Sequence, residues 1–147
     1  MLAVTNRIIL ETTKAPQFID ITQEVTEFVA SSGFSNGCVV VYSKHTTAAI
    51  KINENEPLLM KDMERFLDRI ASSEDYYHHN DFTLRTVNMT EDECPNGHAH
   101  CQHLLMSTSE TIPIIDGELQ LGQWQRVFLV ELDRPRSREV IIQVLGG

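Results

Sequence analysis

Thiols are scarce in this 147-residue chain, and none of its three cysteines, Cys38, Cys94 and Cys101, stands in a CxxC pair. So small and odd a set excludes a disulfide framework, and without CxxC spacing there is neither a dithiol redox motif nor a thiolate zinc site. Basic side chains are also few: 12 Lys and Arg stand against 21 Asp and Glu, a formal net charge of -9. A surface of that sign repels phosphate backbones, which argues against nucleic acid as a partner. No glycine-rich phosphate loop is present. Long apolar runs are missing too, none approaching the ~18 residues of a membrane span. The stretch MLAVTNRIIL lacks the basic segment and apolar core of a signal peptide. These absences lead to the expectation of a soluble, cytoplasmic protein with reduced thiols and no membrane association.

What is there is enough for one core. The chain is 41% hydrophobic and 22% charged, a globular balance at a length that suits a single domain over residues 1–147. Residues 4–12 are rich in β-branched types and read as a strand ahead of a turn-like TKAP. Asp20 and Gln23 form a capping pair for a helix over 20–32 that Gly33 ends. CVVVYS (38–43) and TTAAIKI (46–52) are strands, with His45 between them. Pro57 opens an amphipathic helix over 57–71, in which Leu59, Met63, Phe66 and Ile70 recur at three- and four-residue steps. Residues 72–96 form a long polar connection, whose length points to a functional role or local order. A short helix follows over 97–106. The last forty residues are all strand and turn: TIPII, GELQLG, QWQRVFLVELD and REVIIQVLG. The fold class is α+β, one compact domain of antiparallel, sandwich-like sheets with two main helices.

Chemistry centres on six histidines, three of them in GHAHCQHLL (97–105). His-x-His-x-x-His is not a specific zinc signature, and on a helix only His100 and His103 would share a face. Alternation in a strand puts His45, Thr47, Ala49, Lys51 and Asn53 on one side of their segment. It also gives Gln123, Gln125, Val127, Leu129 and Glu131 a face with polar groups at both ends, a pattern suited to a cleft or a wet interface.

Taken together, KHTTAAIKINEN (44–55), DMERF (62–66), Tyr77-x-His79, AHCQHLLMSTSETIPI (99–114) and GELQLGQWQRVFLVELDRPRSR (117–138) resemble the YjbQ-type family. That family is associated with a secondary thiamine-phosphate synthase activity. The resemblance implies that His45, His79 and His100 are the recurrent histidines, and that Asn53, Glu54, Gln125 and Glu131 are polar, catalytic residues of a shared cleft. It also implies a homotrimer of sandwich-like protomers with sites near subunit boundaries. Two departures stand out: Glu56-Pro57 replaces a common Asp-Pro, and Gln123 a common threonine.

Two chemistries fit this set. Three neutral imidazoles can hold a divalent ion, zinc above all, with a fourth position open for a Lewis-acid or metal-water role. Alternatively, without metal, the imidazoles grip a phosphate or act as acid and base, with Thr46, Arg136 and Arg138 as donors. The expected protein is thus a small enzyme with a histidine-lined, metal-binding site for a phosphorylated or anionic small metabolite. The synthase reaction, a metal-dependent hydrolase and a non-enzymatic metal- or ligand-binding oligomer are the competing forms of that reading.

Overall fold

The computed structural model describes residues 1–147. In chain order the elements are β1 (Leu2–Glu11), β2 (Gln17–Asp20), α1 (Thr22–Ser32), β3 (Gly37–Ser43), β4 (Ala48–Asn53) and α2 (Pro57–Ile70). There follow a 3-10 turn (His78–Asn80), α3 (Gly97–His103), β5 (Ser109–Ile115), β6 (Glu118–Leu119), β7 (Arg126–Glu131) and β8 (Ser137–Gly146). The strands form two antiparallel sheets, one of five strands in the order β1-β8-β3-β5-β6 and one of three in the order β2-β7-β4.

The α+β expectation holds, and the burial pattern explains the layering. In β8 the inward residues Val140, Ile142 and Val144 are fully buried while their neighbours are half-exposed, as in a sheet with one solvated face. In β7 Val127 to Glu131 are all buried, because the small sheet is covered on both sides. Val127 and Leu129 meet Val39, Val41, Ile142 and the α1 residues Val25 and Val29 in the main core. Phe128, Val130 and Leu132 point the other way and meet Leu67 of α2 and Ala99 of α3.

Several local details depart from the sequence reading. β2 has only four residues, too short to show a period; the sequence assigns no element to its first three, and its last, Asp20, falls at the start of the expected helix. The first residue flanking α1 is Ile21, which provides no side-chain cap. Asp20 instead accepts a hydrogen bond from the Thr22 N–H at 3.0 Å, and Gln23 pairs with Glu27. α2 does begin at Pro57, capped by the Glu56 carboxylate. Its buried residue is Leu67, however, while Phe66 and Ile70 are 55% and 50% exposed. Gln123 and Gln125 precede β7 in a turn, so strand alternation does not govern them.

The two ends of the small sheet are tied differently. Ala48 lies opposite Glu131 and Asn53 opposite Arg126, so the β4–β7 ladder separates its ends by about 17 Å at ~3.3 Å per residue. At the Glu131 end the carboxylate of Glu131 is fully buried and takes two hydrogen bonds from Arg138, the Nε one at 2.8 Å. Thr12 Oγ1 donates to the same carboxylate at 2.8 Å and the Asp133 N–H at 3.1 Å. Arg138 Nη2 also donates to Thr47 Oγ1 at 2.8 Å. One buried pair thereby joins the ends of β1 and β7, the start of β8 and the β3–β4 connection.

At the opposite end Asp20 accepts from Arg126 Nε at 2.7 Å and Asn55 Nδ2 at 2.9 Å. Burial pushes this carboxyl up, but Arg126, Thr22 and Asn55 outweigh it and hold its pKa at about 2. A carboxyl depressed in the folded state contributes stability above the unfolded value of 3.8, lost as pH falls through about 2. Asp20→Asn is therefore expected to cost about 1–2 kcal/mol in urea unfolding at pH 7. The gap between wild type and variant should close between pH 4 and pH 2; a gap that persists below pH 2 would refute this assignment.

Candidate functional site

A cleft of about 470 Å³ opens at the Glu131 end, between the β3–β4 connection, the start of β8 and the 72–96 segment with α3. His45, His79 and His100 all border it, as do Thr46, Arg136 and Arg138. The histidines come from three segments far apart in sequence, and each is placed by a specific local device.

His45 sits in the bend between β3 and β4, outside both strands. Its Nε2 accepts the Glu139 N–H at 2.9 Å, which fixes the ring against β8 and puts the neutral form's proton on Nδ1. Burial, and then the Arg138 and Arg136 charges, hold its pKa below the ordinary imidazole value.

His79 and His100 meet edge to face, ring centroids 4.7 Å apart at 75°. The Asn80 side chain brings them together: its Oδ1 accepts from the Asn96 N–H at 3.1 Å and the Gly97 N–H at 2.9 Å. Two donors at the start of α3, which no preceding turn could satisfy, are thereby paired with the turn that carries His79. Gly97 permits the approach, since a Cβ there would lie 2.6 Å from Tyr77 Cβ. From the other side Gln102 Nε2 donates to the carbonyls of Leu67 and Ala71 at 3.3 and 3.1 Å, seating α3 on the end of α2. The His100 pKa is lowered by burial first and by the neighbouring His79 second. Neither imidazole has a hydrogen-bond partner within the chain.

The long polar connection is ordered around Arg85, the one Lys or Arg between Arg69 and Arg126. Its guanidinium donates to the Glu93 carboxylate at 3.0 Å and to the carbonyls of Val87, Asn88 and His79 at 3.2, 2.6 and 3.4 Å. Arg85, Asn88, Glu93 and Asn96 all face the cleft. Sequence reasoning missed them, and a lone basic residue in an acidic stretch was the only signal. Asp133, with a side chain 2% exposed, lies behind the cleft and accepts from Asn96 Nδ2 at 3.0 Å and Arg136 Nη1 at 3.3 Å.

Other expected residues lie elsewhere or play another part. Glu131 is wholly buried with both oxygens occupied by donors, so it positions Arg138 and does not reach the cleft. Asn53 and Glu54 stand at the far end of β4, where Asn53 Nδ2 contacts Met63 Sδ at 3.5 Å and Asn53 Oδ1 accepts the Glu54 N–H. Gln125 is at that end too, where its Oε1 accepts the Gly122 N–H at 2.8 Å beside a separate hollow against α1. Within one chain these three do not share a cleft with the histidines.

The three-imidazole ion centre does not fit this arrangement. The Nε2 lone pair of His45 is taken by the Glu139 N–H, and no three His, Cys, Asp or Glu side chains come together closely enough to hold an ion. The arrangement instead suits an anion. Lys44, Arg85, Arg136 and Arg138 line the cleft with one carboxylate, Glu93, while Glu131, Asp133 and Glu139 sit behind the cations they hold.

The family model described as UPF0047 protein YjbQ-like matches residues 6–147. A UPF0047 protein of Methanothermobacter thermautotrophicus is 36% identical over 146 residues, covering 99% of this chain and 94% of the relative. The UPF0047 protein YugU of Bacillus subtilis is 35% identical, covering 93% and 96%. Among solved structures, a YbjQ-like protein of unknown function from Sulfolobus solfataricus superposes with a TM-score of 0.89 at 31% identity, covering 99% of both chains. A hypothetical protein from Aeropyrum pernix gives 0.86 at 35% identity, covering 98% of this chain and 99% of that one. With the family model matched over almost its whole length and such relatives aligned end to end, the chain belongs to the YjbQ-like UPF0047 family.

Proposed function

We propose that the chain is a small enzyme that binds a phosphorylated or otherwise anionic small metabolite in the histidine cleft, with His79 and His100 as its proton-transfer pair. One observation carries this reading: two unbonded imidazoles meet inside a polar cleft whose walls carry four cations and one carboxylate. Arg138 uses Nε and Nη2 on Glu131 and Thr47, leaving Nη1 without a protein partner as a donor for a ligand oxygen. Arg136, Lys44 and the Thr46 hydroxyl supply further donors from the rim. His100, held neutral by burial, can accept a proton from a bound hydroxyl near pH 7.

The thiamine-phosphate synthase reaction has less support, because it expels pyrophosphate and needs a pyrophosphate clamp. Here each cleft cation already faces a carboxylate of the chain, a balance suited to one phosphoryl group. Inorganic phosphate tests the reading directly, by calorimetry and by NMR of the histidine side chains. Saturable binding should perturb His79 and His100, and Arg136→Ala should weaken it about tenfold, equivalent to 1.4 kcal/mol. A bound anion favours imidazolium, so phosphate should raise the His100 pKa and bind more tightly as pH falls through it. Unshifted histidine signals at saturation, or no binding at all, would defeat the proposal.

A second reading keeps zinc, on two imidazoles in place of three, and the open nitrogens of His79 and His100 favour it. The family's homotrimer is part of the proposal as well. Leu58, Phe66 and Ile70 of α2 and Leu104 and Leu105 after α3 are 66%, 55%, 50%, 82% and 49% exposed, an apolar surface of the kind that subunit contacts cover. Native mass spectrometry of untagged protein reads both properties. A mass of three chains is expected, and Phe66→Glu with Ile70→Glu should release monomers. One zinc per chain, lost in His79→Ala and His100→Ala but kept in His45→Ala, would establish the second reading; zinc-free protein would end it.

A further inference from the structure

We infer that the cleft takes a polyhydroxylated anion, a sugar or polyol phosphate, in preference to a phosphate carried on a heteroaromatic ring; this rests on the anion-site reading above. Sites for ring-bearing ligands are lined mostly by apolar and aromatic side chains, with a few polar groups to orient the ligand. Here the proportion is inverted, because no residue that lines the 470 Å³ cleft is apolar. Its only rings are imidazoles, and His79 and His100 already meet edge to face at 75°, leaving no parallel slot for a third ring. The larger aromatics lie elsewhere. Trp124 is 65% exposed in the turn before β7, at the other end of the ladder. Tyr77 turns its hydroxyl to the Ser72 carbonyl at 2.7 Å. The apolar hollow bounded by Phe18, Met63 and Phe66 is a separate cavity of about 140 Å³.

What does line the cleft matches hydroxyl groups. A hydroxyl both donates and accepts, and its best partners are groups that do the same or that supply both kinds side by side. Thr46, Asn88 and the imidazole of His100, held toward its neutral form by burial, are of that type, and Glu93 is an acceptor among cationic donors. The phosphoryl group would lie toward Arg136 in the turn before β8 and Arg138 on β8, with the hydroxylated carbons toward Asn88, Glu93 and His100.

Calorimetry on the wild-type protein with inorganic phosphate, glycerol 3-phosphate, ribose 5-phosphate, adenosine 5′-monophosphate and thiamine monophosphate tests this. Ribose 5-phosphate or glycerol 3-phosphate should bind at least tenfold more tightly than inorganic phosphate and than either ring-bearing phosphate. Asn88→Gly should reduce sugar-phosphate affinity more than phosphate affinity; glycine suits the positive φ of 55° at Asn88. Adenosine monophosphate or thiamine monophosphate as the tightest ligand would overturn the inference and leave the anion site standing. Equal affinity for phosphate and sugar phosphate would do the same, whereas failure of all five to bind would overturn both.

Discussion

A single buried ion pair underlies the architecture of the cleft. Glu131 and Arg138, with side chains 0% and 2% exposed, would each be costly to bury alone, since an isolated charge in a protein interior loses its hydration with nothing in return. Together with Thr12, Thr47 and the Asp133 N–H they form a closed set in which both carboxylate oxygens are satisfied. The geometry has a consequence for function, because the same Arg138 that completes the interior forms the floor of the cleft. Its neighbour Glu139 turns outward, and the Glu139 N–H orients His45. Fold and site therefore meet in three consecutive elements: the end of β7, the Asp133–Arg136 turn and the start of β8.

The opposite wall is built by a different principle. Residues 72–96 lack the apolar residues to pack as a helix or strand, and they are ordered through polar contacts around Arg85 and Asn80. Such a segment has no buried apolar residue of its own, which places it at the low-stability end of the molecule. A rigid floor on the sheets and a polar wall of lower local stability are a usual division between scaffold and ligand-binding loop. The cations of the cleft follow the same split, Arg138 fixed beneath it and Arg85 within the wall.

The sequence was most informative where one physical rule dominated. Alternation of apolar residues over 126–132 assigned Val127 and Leu129 to one face and Phe128, Val130 and Leu132 to the other, and the two clusters follow it. It misjudged Glu131, because a charged residue on a core-facing register reads as a cleft residue unless its partner seven positions away is foreseen. The face of α2 was misjudged for a related reason. Helical spacing shows an apolar stripe over Leu59, Met63, Phe66 and Ile70 but not what covers it, and in the chain alone only Leu67 is buried. His45, His79 and His100 were identified through family resemblance, since no spacing rule links positions 34 and 21 residues apart. Asn80 and Gly97, which make two of them meet, carry no signal in the sequence beyond their residue types. Asn53, Glu54 and Gln125 were grouped with the histidines by the same resemblance, and the antiparallel ladder sets them about 17 Å from the Glu131 end.

The account stands most directly on the claim that Glu131 and Arg138 form one coupled unit at the base of the cleft. A double-mutant cycle with Glu131→Met, Arg138→Met and the double variant, read by urea unfolding at pH 7, measures that coupling. Each single variant leaves a buried charge without its partner and is predicted to lose about 3–5 kcal/mol. The double variant, with two apolar side chains in contact, is predicted to lose less than either single one. Additive losses, with the double variant the least stable of the three, would contradict the account.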